Sequence, residues 1–531
     1  MFSRDHNIKK KIMSKNIRIR ISALLILFLF NSVYSLVVAQ DVIPDQFDQW
    51  INDGMEQWQI PGMAVAVVKD GEVILAEGYG VLKLGESQPV TADTQFGIAS
   101  VSKHMTASSL ALLVDQGLIT WNDPVIKHIP WFELSDPWVT AHVTIHDLLT
   151  HQVGVGRILG NRLQYMTNRS REELLRHMRF HTFEQPFRSD YVYSNVMYTL
   201  AGEVVAAVSG QSWDSYMAEH FFEPMGMNRT NTSINDLHPD GNSAWPHQYI
   251  DGEIVTIPRR NWDNSSPAGG INSTATDMAK WMLMQLNNGV HNDKQIIPTD
   301  VLTDIQTPKV SFETSASTAP QRSYGYGYNI TDFRGHRLLS HGGATDGMNT
   351  SYMLMPEHNF GIIIMTNTFN NFMTAVAYTV IDHMLDTSDR DWNELLLTNY
   401  HNYYESVKTI REEFESTRIP GTTTTHSLEA YAGLFHNDLY DQAEIRYENG
   451  ELVLTVFDDE NLTADLEHWH HNTFRVNWRN PAQREEFMQF HMDYEGSIHA
   501  LEIRYTLRPM LLQAGAYPSD YYRDVTYTRI Q

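Results

Sequence analysis

Ser100-Val101-Ser102-Lys103 can place a nucleophile and its activator on one helical turn. Residues three apart on a helix share a face, so the Lys103 ammonium can reach the Ser100 hydroxyl. A serine hydroxyl is a weak nucleophile until a neighbouring base takes its proton. A second group of the right chemistry stands at Tyr193-Ser194-Asn195, where a phenol and an amide are two residues apart. A third, His341-Gly342-Gly343, combines an imidazole with backbone that other groups can approach closely. Each triplet alone is unspecific. Ser-x-x-Lys arises by chance about once or twice in a chain of this composition, Tyr447-Glu448-Asn449 repeats the second pattern at what reads as a strand end, and His-Gly-Gly alone reads as a glycine turn.

The elements that must hold these residues follow from periodicity. The run from Met105 to Val114 carries apolar residues at helical spacing, and Gly117 sits where a C-terminal cap falls. Ser100 is therefore expected at a helix start, where backbone N–H groups favour developing negative charge. Upstream, Asp45 to Gln59 has helical periodicity. Met63–Val68 and Glu72–Ala76 then read as a hairpin turning at Asp70-Gly71. A mostly helical middle runs from Ser100 to about Met284, including segments 144–150, 194–208 and 276–288. Strands are expected again at 326–331, 337–340, 349–354 and 360–366, with a helix near 373–385. Strands, helices, then strands again imply one antiparallel sheet closed by both ends of the domain, flanked by helices and a mostly helical subdomain. This α/β (α+β) domain is placed at 40–390. Residues 391–425 read as a helical linker ending at Ile419-Pro420-Gly421 and four threonines. From 426 to 531, short alternating strands and tight turns such as Asn449-Gly450 imply a small antiparallel β-barrel.

Length, charge and cysteine content narrow the function classes. A chain of 531 residues exceeds one ordinary domain. Its formal charge is −25, and about −31 without the basic segment 1–39; such a chain repels nucleic acid and anionic membrane surfaces. In that segment, a basic stretch leads into the apolar run Ile21–Phe30 and small residues at Val37-Val38-Ala39. This is the pattern of a cleaved signal peptide, and the expected location is secreted or periplasmic. The run is short for a membrane span, so a membrane role is expected only if the segment stays attached. There is no cysteine, hence neither a disulfide framework nor a lipid-modified cysteine.

Taken together and in order, Ser-x-x-Lys, Tyr-x-Asn and His-Gly-Gly resemble the penicillin-recognising serine hydrolases. The nearest branch comprises class C β-lactamases, D-alanyl-D-alanine carboxypeptidases, D-amino-acid peptidases and related esterases. Thr144–His151, Phe222–Thr230, Pro267–Thr274 and Tyr324–Tyr328 resemble further segments of that family in its order, across most of 40–390. The resemblance implies a β-lactamase/transpeptidase-like fold with a lipocalin-like C-terminal barrel. It implies an acyl-enzyme on Ser100 and catalytic roles for Lys103 and Tyr193. Either of these could be the base, and the family favours Tyr193 with Lys103 as its electrostatic partner. Asn195, His341, Gly342 and Gly343 would face substrate, and the backbone N–H groups of Ser100 and of Ala344, on an edge strand, would form the oxyanion hole.

One departure from the family pattern bears on substrate. His341 stands where many relatives carry lysine, and Gly342 lacks the hydroxyl of Lys-Thr-Gly. Peptidase or esterase activity on a small-molecule or peptide substrate, D-amino-acid peptides among them, is therefore expected ahead of β-lactam hydrolysis. The alternatives are a β-lactamase or a penicillin-binding sensor with slow or no turnover, or a chain whose barrel binds carbohydrate or lipid. No cofactor is implied. Glu467-His468-Trp469-His470-His471 is dense enough in histidine to suggest a metal, but it resembles a structural segment of the barrel in relatives, and no metal site is expected. The barrel could also mediate homo-oligomerisation. Among the remaining histidines, His104 is expected to be structural, and His151, at an expected helix start near the cleft, is the one worth testing.

Overall fold

The computed structural model describes residues 42–156, 163–164, 167–250, 252–313, 321–387, 389–457, 459–483, 486–504 and 525–530. The leader expected at 1–39 lies outside them. Helix α1 (Phe47–Gln57) leads into strands β1 (Gly62–Lys69) and β2 (Glu72–Gly80), joined at Asp70-Gly71. Both turn residues have positive φ, as the twist of a two-residue hairpin requires.

Three helices of the middle region matter most for the site: α2 (Ser102–Asp115), α3 (Asn195–Ser209) and α4 (Ala275–Leu286). Gly117, at φ 69°, follows the end of α2 as its spacing predicts. The second half of the sheet is β3 (Val310–Glu313), β4 (Gln321–Tyr324), β5 (Asn329–Phe333), β6 (His336–Thr345), β7 (Met348–Met355) and β8 (Phe360–Thr366). The spatial order is β2-β1-β8-β7-β6-β5-β4-β3, and each adjacent pair is antiparallel. Both ends of the domain thus build one sheet.

That sheet is buried on both faces, which explains why β1 and β8 read as unbroken apolar runs. Ala64, Ala66, Val68, Ile363 and Met365 point into one core, shared with Met278, Trp281 and Met282 of α4. Met63, Val65, Val67, Ile362 and Ile364 point the other way, into a core with Ile51 and Met55 of α1 and with Val376 and Val380 of α5 (Phe372–Met384). A single slip in register would exchange the two sets.

Two expectations need correction here. The strand expected at 326–331 begins only at Asn329. Gly325-Tyr326-Gly327 precedes β5 as an irregular segment pressed on α2, where a Cβ on Gly327 would stand 2.5 Å from the His104 Cα. The strand expected at 337–340 runs on to Thr345, so His341-Gly342-Gly343 lies within β6 and is no turn.

Helix α6 (Trp392–Ser416) bridges to the second domain. No helix among the described residues is long and apolar enough to cross a membrane. The second domain is a closed antiparallel barrel of eight strands: β9 (Gly433–Asn437), β10 (Asp441–Glu448), β11 (Glu451–Val456), β12 (Thr463–His470), β13 (Thr473–Trp478), β14 (Glu486–Met492), β15 (Ile498–Arg504) and β16 (Val525–Arg529). Pairing of Phe435 with Arg529 closes the ring. Alternate residues, among them Ile445, Leu454, Phe474, Val476, Phe490 and Leu501, fill the interior, and closure removes the edges on which strands aggregate.

Candidate active site

Ser100 sits in a one-turn 3₁₀ segment, Ala99–Val101, that runs directly into α2. Ala99, just before it, has φ 48°, a left-handed conformation costly for a residue with a Cβ. Such strain persists only where packing over-determines it. Here the packing comes from three sides. Ile98 N–H donates to the Ile271 carbonyl, the Ser102 hydroxyl donates to the Ala99 carbonyl, and β6 lies against the turn. A Cβ on Gly343 would fall 2.1 Å from the Ile98 carbonyl oxygen, so only glycine permits that approach.

Lys103, the second residue of α2 and one turn after Ser100, is fully buried. Its ammonium donates to Ser100 Oγ at 3.1 Å, to Asn195 Oδ1 at 2.6 Å and to the Ala268 carbonyl at 2.7 Å. Three acceptors match the three hydrogens of a protonated amine, which then has no lone pair to offer. Tyr193, two residues before α3, donates its hydroxyl to Ser100 Oγ at 2.9 Å, and the Lys103 nitrogen stands 4.8 Å from its ring centroid. Two elements distant in sequence thus converge on one oxygen. Burial pushes the neighbouring phenols of Tyr198 and Tyr324 well above the usual tyrosine range, so both stay protonated.

His151 packs its ring 4.4 Å from that of Tyr193, and its Nδ1 accepts the Ser194 N–H at 3.0 Å. It lies near the cleft as expected but beyond the end of a helix (Ile145–Leu149), not at a start, and in a left-handed conformation. His104, on α2, points away from Ser100: its Nε2 accepts the Trp281 indole N–H at 2.9 Å. Burial, reinforced by the field of His341, holds its pKa well below the ordinary histidine value.

The third motif behaves differently from a lysine-bearing one. His341 is only 5% exposed. Its Nδ1 is 2.7 Å from the Gly342 carbonyl and its Nε2 is 3.1 Å from the Tyr324 hydroxyl. A carbonyl can only accept, so Nδ1 carries a hydrogen and donates it to Gly342. Gly342 and Ala344 are exposed. The nearest atom to a Cβ on Gly342 would be 3.9 Å away, so the missing side chain leaves open space. β6 is not an edge strand as expected. It pairs with β5 from His336 to Ser340 and with β7 from Leu339 to Thr345, so the half from His341 to Thr345 lacks a partner on the β5 side, and that half flanks the Ser100 turn.

Sequence reading missed the Ala268 carbonyl, which no residue type could signal, and the cluster of Arg259, Arg260 and Trp262 beside the turn. The histidine-rich barrel segment contributes nothing here. Its Trp469 packs on Phe414 of α6 and on Phe487, and the Arg418 guanidinium donates to the His468 and Trp469 carbonyls. A bulge between His468 and His470 breaks the alternation that would align them.

A two-sided antiparallel sheet with a buried lysine and a tyrosine on one serine defines a β-lactamase/transpeptidase-like serine hydrolase scaffold. The Beta-lactamase family profile matches residues 47–384, and a domain of unknown function, DUF3471, matches 417–514. The chain belongs to the Beta-lactamase family, a family of serine hydrolases. It is 28% identical over 432 residues to the unguisins hydrolase ungD' of Aspergillus campestris, covering 78% of this chain and 80% of that protein. It is 25% identical over 342 residues to protein flp of Staphylococcus aureus strain MW2, covering 62% and 64% respectively. Its fold is similar to that of the octameric penicillin-binding protein homologue from Pyrococcus abyssi, with a TM-score of 0.58 and 21% identity, over 86% of this chain and 97% of that one.

Proposed function

We propose that this chain is an exported hydrolase that cleaves amide or ester bonds through an acyl-enzyme on Ser100. The observation that carries this reading is the double contact on Ser100 Oγ, from Lys103 at 3.1 Å and from Tyr193 at 2.9 Å. The ammonium, saturated with acceptors, favours the phenolate form of Tyr193. The phenolate takes the serine proton as Oγ attacks the substrate carbonyl carbon. The carbonyl oxygen becomes an oxyanion held by the Ser100 and Ala344 N–H groups; such donors contribute about 3–4 kcal/mol each. Tyr193 then passes its proton to the departing amine or alcohol. In the second half, water gives a proton to Tyr193, its oxygen adds to the acyl carbon, and the bond to Oγ breaks as the serine is reprotonated.

His341, buried against Tyr324 and the Gly342 carbonyl, supports peptidase or esterase chemistry over efficient β-lactam hydrolysis, because it stands where many relatives present a lysine ammonium to a substrate carboxylate. The relative named as an unguisins hydrolase supports turnover over a role in binding alone. Ser100→Ala is expected to abolish turnover and covalent labelling by a fluorophosphonate, and unchanged labelling would overturn the assignment. Nitrocefin, D-alanyl peptides, D-amino-acid amides and short-chain esters, assayed side by side, identify the substrate class. Export predicts a mature N-terminus close to residue 40, read by N-terminal sequencing of the secreted protein.

A further inference from the structure

A depression of about 490 Å³, its open mouth included, adjoins the Ser100 turn. Gly97, Gly269 and Thr345 line its inner end. Gly269 abuts the Ala99 backbone, and Thr345 follows the oxyanion residue Ala344 along β6. Arg259, Arg260 and Asp346 also line it, with apolar surface from residues such as Leu237 and Met348.

The charges in this depression do not cancel. Arg260 lies 3.8 Å from Asp346, both side chains are almost fully buried, and its guanidinium is stacked 3.6 Å from the Trp262 ring centroid. That pair is compensated. Arg259 is not: among the described residues it meets no carboxylate. Its Nε donates to the Ala244 carbonyl at 3.1 Å, and its Nη2 to the Ser243 carbonyl at 2.9 Å and hydroxyl at 3.1 Å. The Trp245 ring lies 4.0 Å from its guanidinium carbon. The group is therefore held in place, with the hydrogens of Nη1 left over. Burial without a counter-charge lowers its pKa from the ordinary arginine value, although a guanidinium remains protonated at neutral pH. A fixed, partly desolvated cation with spare donors is the arrangement that recognises a carboxylate. It stands out in a chain of net charge −25, whose general field repels anions.

We infer that this depression is an acyl-group subsite for substrates bearing a carboxylate on a short apolar stem, anchored by Arg259. The inference rests on the acyl-enzyme reading above and names its substrate class. It also gives the site an anion anchor on the Thr345 side of the nucleophile.

The test compares two p-nitrophenyl esters of similar acyl length, the butyrate and the hemiglutarate, on the full chain. Wild type is expected to prefer the carboxylate ester in kcat/KM by roughly 10- to 100-fold at low ionic strength, with the preference shrinking as salt rises. Arg259→Met should cut that ratio at least tenfold, chiefly through KM, while Arg259→Lys keeps part of it. Stoichiometric fluorophosphonate labelling of each variant checks that the site is folded. A wild-type ratio near one, or a ratio that Arg259→Met leaves unchanged, overturns the subsite while the hydrolase reading stands. If Arg259→Met fails to take the label, the wild-type ratio and its salt dependence decide. Absence of both labelling and turnover in wild type would instead overturn the acyl-enzyme reading, and the subsite with it.

Discussion

Two clusters in this chain are equally conspicuous in chemistry-bearing side chains, and the fold treats them in opposite ways. Around Ser100, side chains from α2 and the approach to α3 converge on one hydroxyl, beneath a strained residue at Ala99. Around Trp469, five adjacent residues diverge. His468 Nε2 lies 2.9 Å from the His471 carbonyl, His470 Nδ1 accepts the Ile419 N–H at 3.3 Å, and the indole is buried between α6 and the barrel. The first cluster is sparse in sequence and dense in space; the second is the reverse. Chemistry requires convergence on a reacting atom, so the dense sequence run serves as a fastener and the scattered one as the site.

Breaking each cluster should give separable losses. Tyr193→Phe removes one hydroxyl and nothing else, and is expected to lower kcat by roughly 10²–10⁴-fold. Stopped-flow acylation with an activated ester checks this, with the melting temperature little changed. Trp469→Ala should do the converse. Loss of a buried indole is expected to destabilise the barrel by about 3–5 kcal/mol, measured by denaturant titration, while Ser100 still takes a fluorophosphonate. If Trp469→Ala instead abolished labelling at temperatures where the chain is folded, the division of roles would be wrong.

A finer comparison lies within β6. Gly343→Ala forces a methyl towards the Ile98 carbonyl, 2.1 Å from an ideal Cβ, whereas Gly342→Ala meets nothing nearer than 3.9 Å. The first is expected to destabilise by about 1–3 kcal/mol and to slow acylation by shifting the strand away from the turn. The second should match wild type in thermal melts.

The smallest effect concerns pH. His104 is held neutral, first by burial and then by the field of His341, so below the ordinary histidine value of ~6.5 the unfolded chain binds a proton that the folded chain refuses. Stability therefore falls as the pH drops below that value. His146 and His247 are depressed in the same sense, again mainly by burial. His104→Gln, which can still accept from Trp281, should flatten the acid decline by at most about 1.4 kcal/mol per pH unit. An unchanged slope in denaturation curves from pH 7 to 5 would show that His104 does not titrate on unfolding.

Much of this was legible without coordinates. The hairpin at Asp70-Gly71, the end of α2 at Gly117, the limits of β8, and the change of pattern into a barrel all rest on local signals, and local signals survive in sequence. The extension of β6 through His341-Gly342-Gly343 was not legible, because glycines lower strand propensity and only the neighbouring β7 and the Ser100 turn hold them extended. The start of the strand expected at 326–331 was misplaced for a related reason. The alternation of Tyr326 and Tyr328 suits a strand, but Gly325 and Gly327 serve close packing, the latter against α2.

The sequence by itself determined which residue types were available, their order, and the helical turn that brings Lys103 to Ser100, since that contact needs only a rise of one turn. It also determined that the sheet would draw on both ends of the first domain. Only the tertiary structure decided that Tyr193, Asn195 and the Ala268 carbonyl meet around Lys103, that His341 is buried against Tyr324, and that Arg259 lines a depression beside the nucleophile without a carboxylate partner among the described residues. The reason is physical. Periodicity records what each residue does for its own element, whereas the protonation and reach of a group depend on whichever distant atoms the packed chain brings to it.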